Sequence, residues 1–243
     1  MKTLRISLII FAICFFTLQS NGQNWGQKDS GPVQKETRTI EDFHTISVGG
    51  GIDLYLKQGN KQNVTVNASE SVIDRLMTEV EGDKLRIYLK KGKYRNAKME
   101  VYVVVDDLEA LYASGGSDVY GQTAFRADEF ELHASGGSDV EMVLDVEKLE
   151  CHLSGGSDTD LEGEADHLHI QASGGSDFEG FNLISKNCVV KASGSSDSNV
   201  NVSESLEVHA SGASDVNYKG NPSKTNINSS GSSDVHSLSL IHI

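Results

Sequence analysis

The stretch Ala134-Ser-Gly-Gly-Ser-Asp139 decides the fold of this chain, because the same phrase occurs seven times. Each copy has a small or apolar residue, Ser-Gly, a spacer pair and Asp, and successive aspartates lie 18 to 21 positions apart. A repeat of this length is typical of a solenoid, in which each copy forms one coil. The seven aspartates are Asp118, Asp139, Asp158, Asp177, Asp197, Asp215 and Asp234.

The segment before each phrase alternates apolar and polar residues. The positions seven and five before each aspartate are almost all apolar, and the position between them is polar in every copy but one. This alternation indicates a β-strand with one buried face, and the glycine that follows permits a sharp corner. The pattern predicts an all-β, parallel β-helix, right-handed because parallel crossovers almost always are. A left-handed hexapeptide helix is disfavoured because no six-residue period is present.

The first 22 residues are typical of a secretory signal peptide. Lys2 and Arg5 precede an apolar run over residues 8–16, and small residues follow near position 22. The run is shorter than a membrane span needs, so no spanning segment is expected after its removal. The chain is therefore predicted to be exported to the periplasm, the cell surface or the medium. Residues 23–36 are polar and are interpreted as a linker.

Residues 37–107 are rich in predicted strands but lack the repeat. Residues 71–77 are a helix candidate with Ser71 at its cap, and Val48-Gly-Gly-Gly-Ile-Asp53 resembles a degenerate eighth corner. Because a solenoid needs an atypical end to cover its core, this region is predicted to be the cap and first coils. It is expected to be continuous with the repetitive solenoid of residues 108–243. No cap is evident after the last corner, which leaves open self-association through that end.

The net charge disfavours two classes of partner, and the positions of the cysteines exclude a disulfide. The formal net charge is −14, so nucleic acid is an improbable partner and an anionic membrane surface is disfavoured. Outside the signal peptide the cysteines are Cys151 and Cys188, both at inward positions and separated by one whole coil. Two coil spacings of about 4.8 Å exceed the reach of a disulfide, so two free, buried thiols are predicted.

The N-terminal strands and the Ser-Gly corners together resemble a known family. Phe43-His-Thr-Ile-Ser-Val-Gly-Gly-Gly-Ile-Asp-Leu-Tyr-Leu56, Leu85-Arg-Ile-Tyr-Leu89 and Ala113-Ser-Gly-Gly-Ser-Asp118 are similar to the "head GIN domain" family of auto-transporter adhesins (DUF2807), found in secreted proteins of Bacteroidetes. The resemblance covers roughly residues 37–235. It implies a pectin-lyase-like β-helix with a role in adhesion and no assigned catalytic residues.

The column of seven aspartates is a candidate site. Like charges one strand spacing apart repel by about 1 kcal/mol per pair in bulk water, and by more where water is excluded, so each carboxylate needs local compensation. One interpretation is a turn lock, in which each carboxylate accepts hydrogen bonds at its own corner. The other is a calcium ladder, although the spacing differs from the nine-residue repeat of calcium-binding β-rolls.

A second candidate lies on the polar face of the strands. His133 and His152 occupy the same outward position in adjacent coils, and Glu131 and Glu150 precede them by two residues, which would suit zinc. The competing interpretation is a solvated strand face, since His209 occupies the equivalent position with no histidine in either neighbouring coil.

The sequence favours a non-enzymatic binding module over an enzyme. Glycosidases use two carboxyl groups in different environments, whereas a uniform column offers none that differ. A regular face could instead bind an extended surface glycan, or another protein, through several equivalent positions. The alternatives are a polysaccharide-active β-helix enzyme and a calcium-binding structural solenoid, and no cofactor is expected beyond that calcium.

Overall fold

The structure is a computed structural model that describes residues 31–92, 94 and 96–238. It is a β-solenoid of about seven turns whose strands form one hydrogen-bonded network. The predicted signal peptide and residues 23–30 of the predicted linker lie outside the described residues. The strands are β1 Val33–Arg38, β2 Thr45–Gly49, β3 Asp53–Gln58, β4 Asn63–Ser69, β5 Leu76–Glu81, β6 Lys84–Leu89, β7 Met99–Val105, β8 Ala110–Ser114, β9 Asp118–Gly136, β10 Asp139–Gly155, β11 Asp158–Ala172, β12 Asp177–Ala192, β13 Asp197–Ala210, β14 Asp215–Gly220, β15 Lys224–Ser229 and β16 Asp234–Ser237.

Each of the strands β9 to β13 forms a whole coil. In β10, residues 139–146 form a first arm and residues 149–153 a second arm, with a bend between them where the alternation of buried residues shifts by one. Neighbouring coils pair in parallel, and every aspartate of the repeat aligns with the next one. The inward residues of both arms are buried in one continuous apolar core, which confirms the predicted parallel β-solenoid.

The Ser-Gly corner depends on the first glycine of each phrase. Gly174 has φ +80°, and a Cβ atom there would lie 2.8 Å from the carbonyl oxygen of Gly155 in the coil before. Only glycine satisfies both the left-handed backbone and this close approach. The second glycine differs: a Cβ on Gly175 would meet nothing closer than 3.8 Å, which explains why Ser195 and Ala213 occupy the same position in later coils.

The serine before each aspartate points into the solenoid and holds the corner. Six of these serines are fully buried, and the last is nearly so. Ser196 Oγ donates to the carbonyl oxygens of Ala172 and Ser193, at 3.4 and 3.1 Å. Ser138 Oγ accepts the N–H of Ser135. We call these residues the serine row, and they are Ser117, Ser138, Ser157, Ser176, Ser196, Ser214 and Ser233.

The N-terminal region begins the stack and covers its end. β2 and β3 form a coil whose corner is Gly49-Gly50-Gly51, and Leu54 pairs with Val119, so Asp53 extends the column beyond Asp118 as the predicted eighth corner. β6 and β7 form the next coil outward. β4 then pairs antiparallel with β7, β1 with β4, and β5 with β6, so antiparallel strands end the parallel stack.

Two local predictions in this region were wrong. Residues 33–36, assigned to the linker, belong to β1, because pairing with β4 satisfies their backbone groups. The helix candidate at residues 71–77 is a single 3₁₀ turn, Ile73–Arg75, and its cap position is Val72, with no side-chain cap bond. The chain enters β5 at Leu76 because antiparallel pairing with β6 replaces the helical hydrogen bonds.

The predicted free thiols are confirmed. Cys151 lies on β10 and Cys188 on β12, with β11 between them, and both are free and fully buried. Burial raises the pKa of both thiols well above the usual range, since the charged thiolate would lose its hydration. They therefore behave as small apolar residues of the core.

Candidate ligand-binding faces

The outward side chains form two polar faces, one on each arm. The first face carries the aspartate of each corner and, two residues later, a second outward row. The second face carries the outward residues eight and six positions before each aspartate. Because the coils are in register, each row presents its side chains one strand spacing apart, about 4.8 Å.

The carboxylates of the seven aspartates of the first face have no partner among the described residues. None of these carboxylates makes a hydrogen bond or ion pair there. Five of the aspartates bond through the backbone N–H to the coil before, and they are Asp158, Asp177, Asp197, Asp215 and Asp234. The turn-lock interpretation was therefore wrong about the side chain: the serine row makes the corner hydrogen bonds. The alternation of the sequence indicates that the serine faces inward. The residue after each aspartate is inward, so the aspartate faces outward and the serine before it faces inward again.

The aspartate row continues past the repeat to Asp53 and then Glu100. Partial burial raises the pKa of Asp53, and the charges of Asp118 and Glu100 raise it further. Glu100 is compensated, because it pairs with Lys98 at 2.8 Å and accepts from Asn67 Nδ2 at 2.7 Å. The row thus ends in one neutralised carboxylate and contains eight that lack a partner in the part of the chain that the structure describes.

The second row of the first face changes in character along the solenoid. At the N-terminal end Tyr102, Tyr55 and Tyr120 stack, with ring centroids 4.7 and 5.3 Å apart. At the other end Asn217 Nδ2 donates to Asn199 Oδ1 at 2.9 Å. The repeat pattern does not predict the tyrosine stack, although each tyrosine follows an acidic residue of the row by two positions. The acidic residues between these ends are Glu141, Asp160 and Glu179.

A shallow depression of about 320 Å³ lies where the two rows are most acidic. Burial raises the pKa of Asp160, and the charges of Glu162 and Glu179 add to that shift. Glu179 accepts hydrogen bonds from Asn199 Nδ2 and Phe181 N–H. The other carboxylates of this depression have no partner among the described residues, and they are Asp139, Glu141, Asp158, Asp160 and Asp177.

The second face brings together three of the four predicted zinc ligands. The ligand atoms of Glu131, His133 and His152 all lie within 4.8 Å of one another, and Glu131 Oε1 hydrogen bonds to His133 Nε2. Glu150 is not part of this group, because Lys148 Nζ binds it at 3.1 Å and lowers its pKa. Lys148 lies next to the bend between the arms. The pairing of Lys148 with Glu150 therefore does not follow from the aligned positions of the repeat.

Aromatic stacking holds the two histidine rings. The Tyr112 and His133 rings have centroids 4.5 Å apart, as do the His133 and His152 rings, and both pairs are nearly parallel. Lys84 Nζ lies 4.0 Å from the centroid of the Tyr112 ring, on a cation–π contact. The three rings occupy the same register position in the successive strands β8, β9 and β10. Stacking therefore restricts the orientation of each ring.

A groove of about 630 Å³ runs beside the start of this stack. Lys84 and Lys148 are its basic residues, and Tyr112 lies at its edge. The groove is acidic overall, since its carboxylates outnumber its lysines three to one. The acidic residues are Asp107, Glu109, Asp128, Glu129, Glu131 and Glu150.

Comparisons with known proteins agree with this architecture. A family model described as "Putative auto-transporter adhesin, head GIN domain" matches residues 42–222. No match was found among functionally curated proteins. A helix long and apolar enough to cross a membrane does not occur in the described residues.

Solved structures from Bacteroides and Parabacteroides species have the same fold. A putative adhesin from Bacteroides fragilis aligns with a TM-score of 0.77 at 21% identity, covering 85% of this chain and 97% of its own. A putative adhesin from Parabacteroides merdae aligns with a TM-score of 0.66 at 18% identity, covering 86% and 97%. A protein described as a putative lipid binding protein from Parabacteroides distasonis gives 0.65 at 19%, covering 86% and 98%. At these identities the similarity shows the fold alone.

Proposed function

Because the chain belongs to the family of the auto-transporter adhesin head GIN domain, we propose that it is an exported, non-enzymatic adhesion module of the cell surface or periplasm. Its ligand would be an extended molecule of the surface, a glycan or another protein, bound along the first face. The observation that supports this proposal is the in-register row of eight carboxylates, none with a partner among residues 31–92, 94 and 96–238, beside a row of tyrosines, carboxylates and amides.

The chemistry of the first face suits a polar polymer. Carboxylate and amide groups hydrogen bond to hydroxyl groups, and the edges of the tyrosine stack add apolar surface. No single position is a deep pocket, so each contact would be weak. Coils that repeat at one spacing would engage several units of a polymer at once, and the affinity would then come from the number of contacts.

Binding to a panel of immobilised surface glycans tests this function, with matched variants on the two faces. We expect the double variant Asn199→Ala and Asn217→Ala to weaken binding, because it removes neighbouring amides of the first face. The double variant Glu207→Gln and His209→Gln changes the second face of nearby coils and should bind as the parent does. Equal loss in both doubles, or no glycan or surface protein bound by the parent, would contradict the proposal.

Calcium binding at the aspartate row stays a prediction. Its best location is the acidic depression, where five carboxylates of three coils lack partners and hard cations prefer such oxygen ligands. Thermal unfolding in calcium and in chelator, at constant ionic strength, measures it, since an ion bound only by the folded state raises Tm. The variant Asp158→Asn should reduce a specific calcium shift, whereas Asp42→Asn, an exposed acid outside the rows, should not.

A further inference from the structure

The histidine stack of the second face carries an inference that does not depend on the adhesion function. We propose that Glu131, His133 and His152 form a binding site for a borderline transition-metal ion, with Zn²⁺ as the expected occupant. Two imidazole nitrogens and one carboxylate oxygen form a common zinc ligand set. The three groups come from two adjacent coils, β9 and β10, so the ion would link these coils across the strand pairing.

The distances are close to those that coordination requires. The three ligand atoms lie within 4.8 Å of one another. Two nitrogens bound to one tetrahedral zinc ion at about 2.1 Å are roughly 3.4 Å apart. The His133 and His152 rings are stacked 13° from parallel, so their in-plane nitrogen lone pairs point side by side and not at one point. Binding would therefore require the partly exposed His152 side chain to turn out of the stack toward the Glu131 and His133 pair, a change of side-chain rotamer.

The surroundings restrict the ligands before any ion arrives. Tyr112 covers one face of the His133 ring and His152 the other, so His133 has little freedom to rotate. Glu131 is hydrogen bonded to His133, which aims the two ligand atoms at each other. An ion would replace the proton that they share. Such pre-orientation lowers the entropy that binding has to overcome.

Charge also favours a cation at this place. The adjoining groove is lined by six carboxylates and two lysines. A cleft with an excess of one sign concentrates ions of the opposite sign. Glu150 is paired with Lys148 and is therefore not one of the three ligands.

The chain contains its own control for this site. Glu207 and His209 repeat the Glu131 and His133 pair, with Nε2 2.8 Å from the carboxylate oxygen. Their neighbours at the histidine position are Lys191 and Asn228. A second imidazole is therefore missing there, and the difference isolates the contribution of His152.

The test is titration of the purified protein with Zn²⁺ by calorimetry and with Co²⁺ by visible absorption, in which ligand-field bands report the coordination geometry. We expect one saturable equivalent, and we expect His152→Gln to weaken it at least about tenfold, since even outer-shell changes at metal sites cost that much. Glu131→Gln should weaken it as well, and His209→Gln should leave it unchanged. Circular dichroism and thermal unfolding establish that the variants are folded.

Two results would overturn the site. One is the absence of a saturable equivalent in the parent protein. The other is equal weakening by His152→Gln and His209→Gln, which would indicate scattered histidine binding. If His133→Gln fails to fold because the ring stack is lost, His152→Gln at the end of that stack and Glu131→Gln still decide the matter.

Discussion

At each of the seven corners of the repeat, two adjacent residues face opposite ways. The serine points inward, is buried and hydrogen bonds to the backbone, whereas the aspartate points outward and its carboxylate has no partner in the described chain. Both residues recur in all seven copies. Two residues repeated with equal regularity therefore differ in what they contribute: the serine stabilises the corner, whereas the aspartate carboxylate makes no hydrogen bond or ion pair among the described residues.

The largest effect is expected at the glycine that lets the corner form. Gly174→Ala places a Cβ on a left-handed residue and 2.8 Å from the Gly155 carbonyl oxygen, so the free energy of unfolding should fall by about 2–4 kcal/mol. Gly175→Ala is the matched control and should change it by less than about 0.5 kcal/mol. Chemical denaturation measures both. Equal loss in the two variants would mean that the corner needs two glycines.

Removal of the inward hydroxyl of a serine at the corner should lower the free energy of unfolding. Ser196→Ala removes the donor to Ala172 and Ser193 and leaves a small buried void, so we expect a loss of about 1–2 kcal/mol. Ser195→Ala, at the exposed position beside it, should be neutral within about 0.5 kcal/mol. If Asp197→Asn cost more than Ser196→Ala, the assignment of the lock to serine would be wrong.

The smallest effect is expected at Asp53, where a substitution should raise stability and not lower it, in a way that depends on pH. Burial and the charges of Asp118 and Glu100 raise the pKa of Asp53, so the folded state favours its protonated form. The resulting penalty is full above the folded pKa, shrinks as pH falls and vanishes below the ordinary value of 3.8. Asp53→Asn should therefore raise Tm slightly at neutral pH and leave it unchanged in acid.

Salt and a matched variant sharpen this last prediction. Added salt should reduce the gain from Asp53→Asn, because it screens charges on a partly exposed face. Asp42→Asn removes one negative charge outside the rows and serves as the control. A lower Tm for Asp53→Asn at neutral pH would show that the carboxylate makes a stabilising contact, with a cation as the first candidate.

The repeat was sufficient to predict the coils, the inward columns, the corner and the free cysteines, because one period fixes the register of every coil. Roles that depend on local geometry were harder. The exchange of roles between Ser196 and Asp197 follows from side-chain direction at a turn, which residue types alone do not give. The pairing of Lys148 with Glu150 arises at a bend where the alternation shifts. The antiparallel strands β1, β4 and β5 lie outside the period, so their arrangement could not follow from it.

The register shifts between neighbouring coils show where the repeats differ in length. They fall at residues 141–143, 160–163, 180–184 and 185–187, in the first arm or near the bend, and the corners stay aligned throughout. Coils of 18 to 21 residues therefore close on the same corner. A gene that gains or loses one whole repeat would shift the reach of the protein by one strand spacing, about 4.8 Å, and leave its cross-section unchanged.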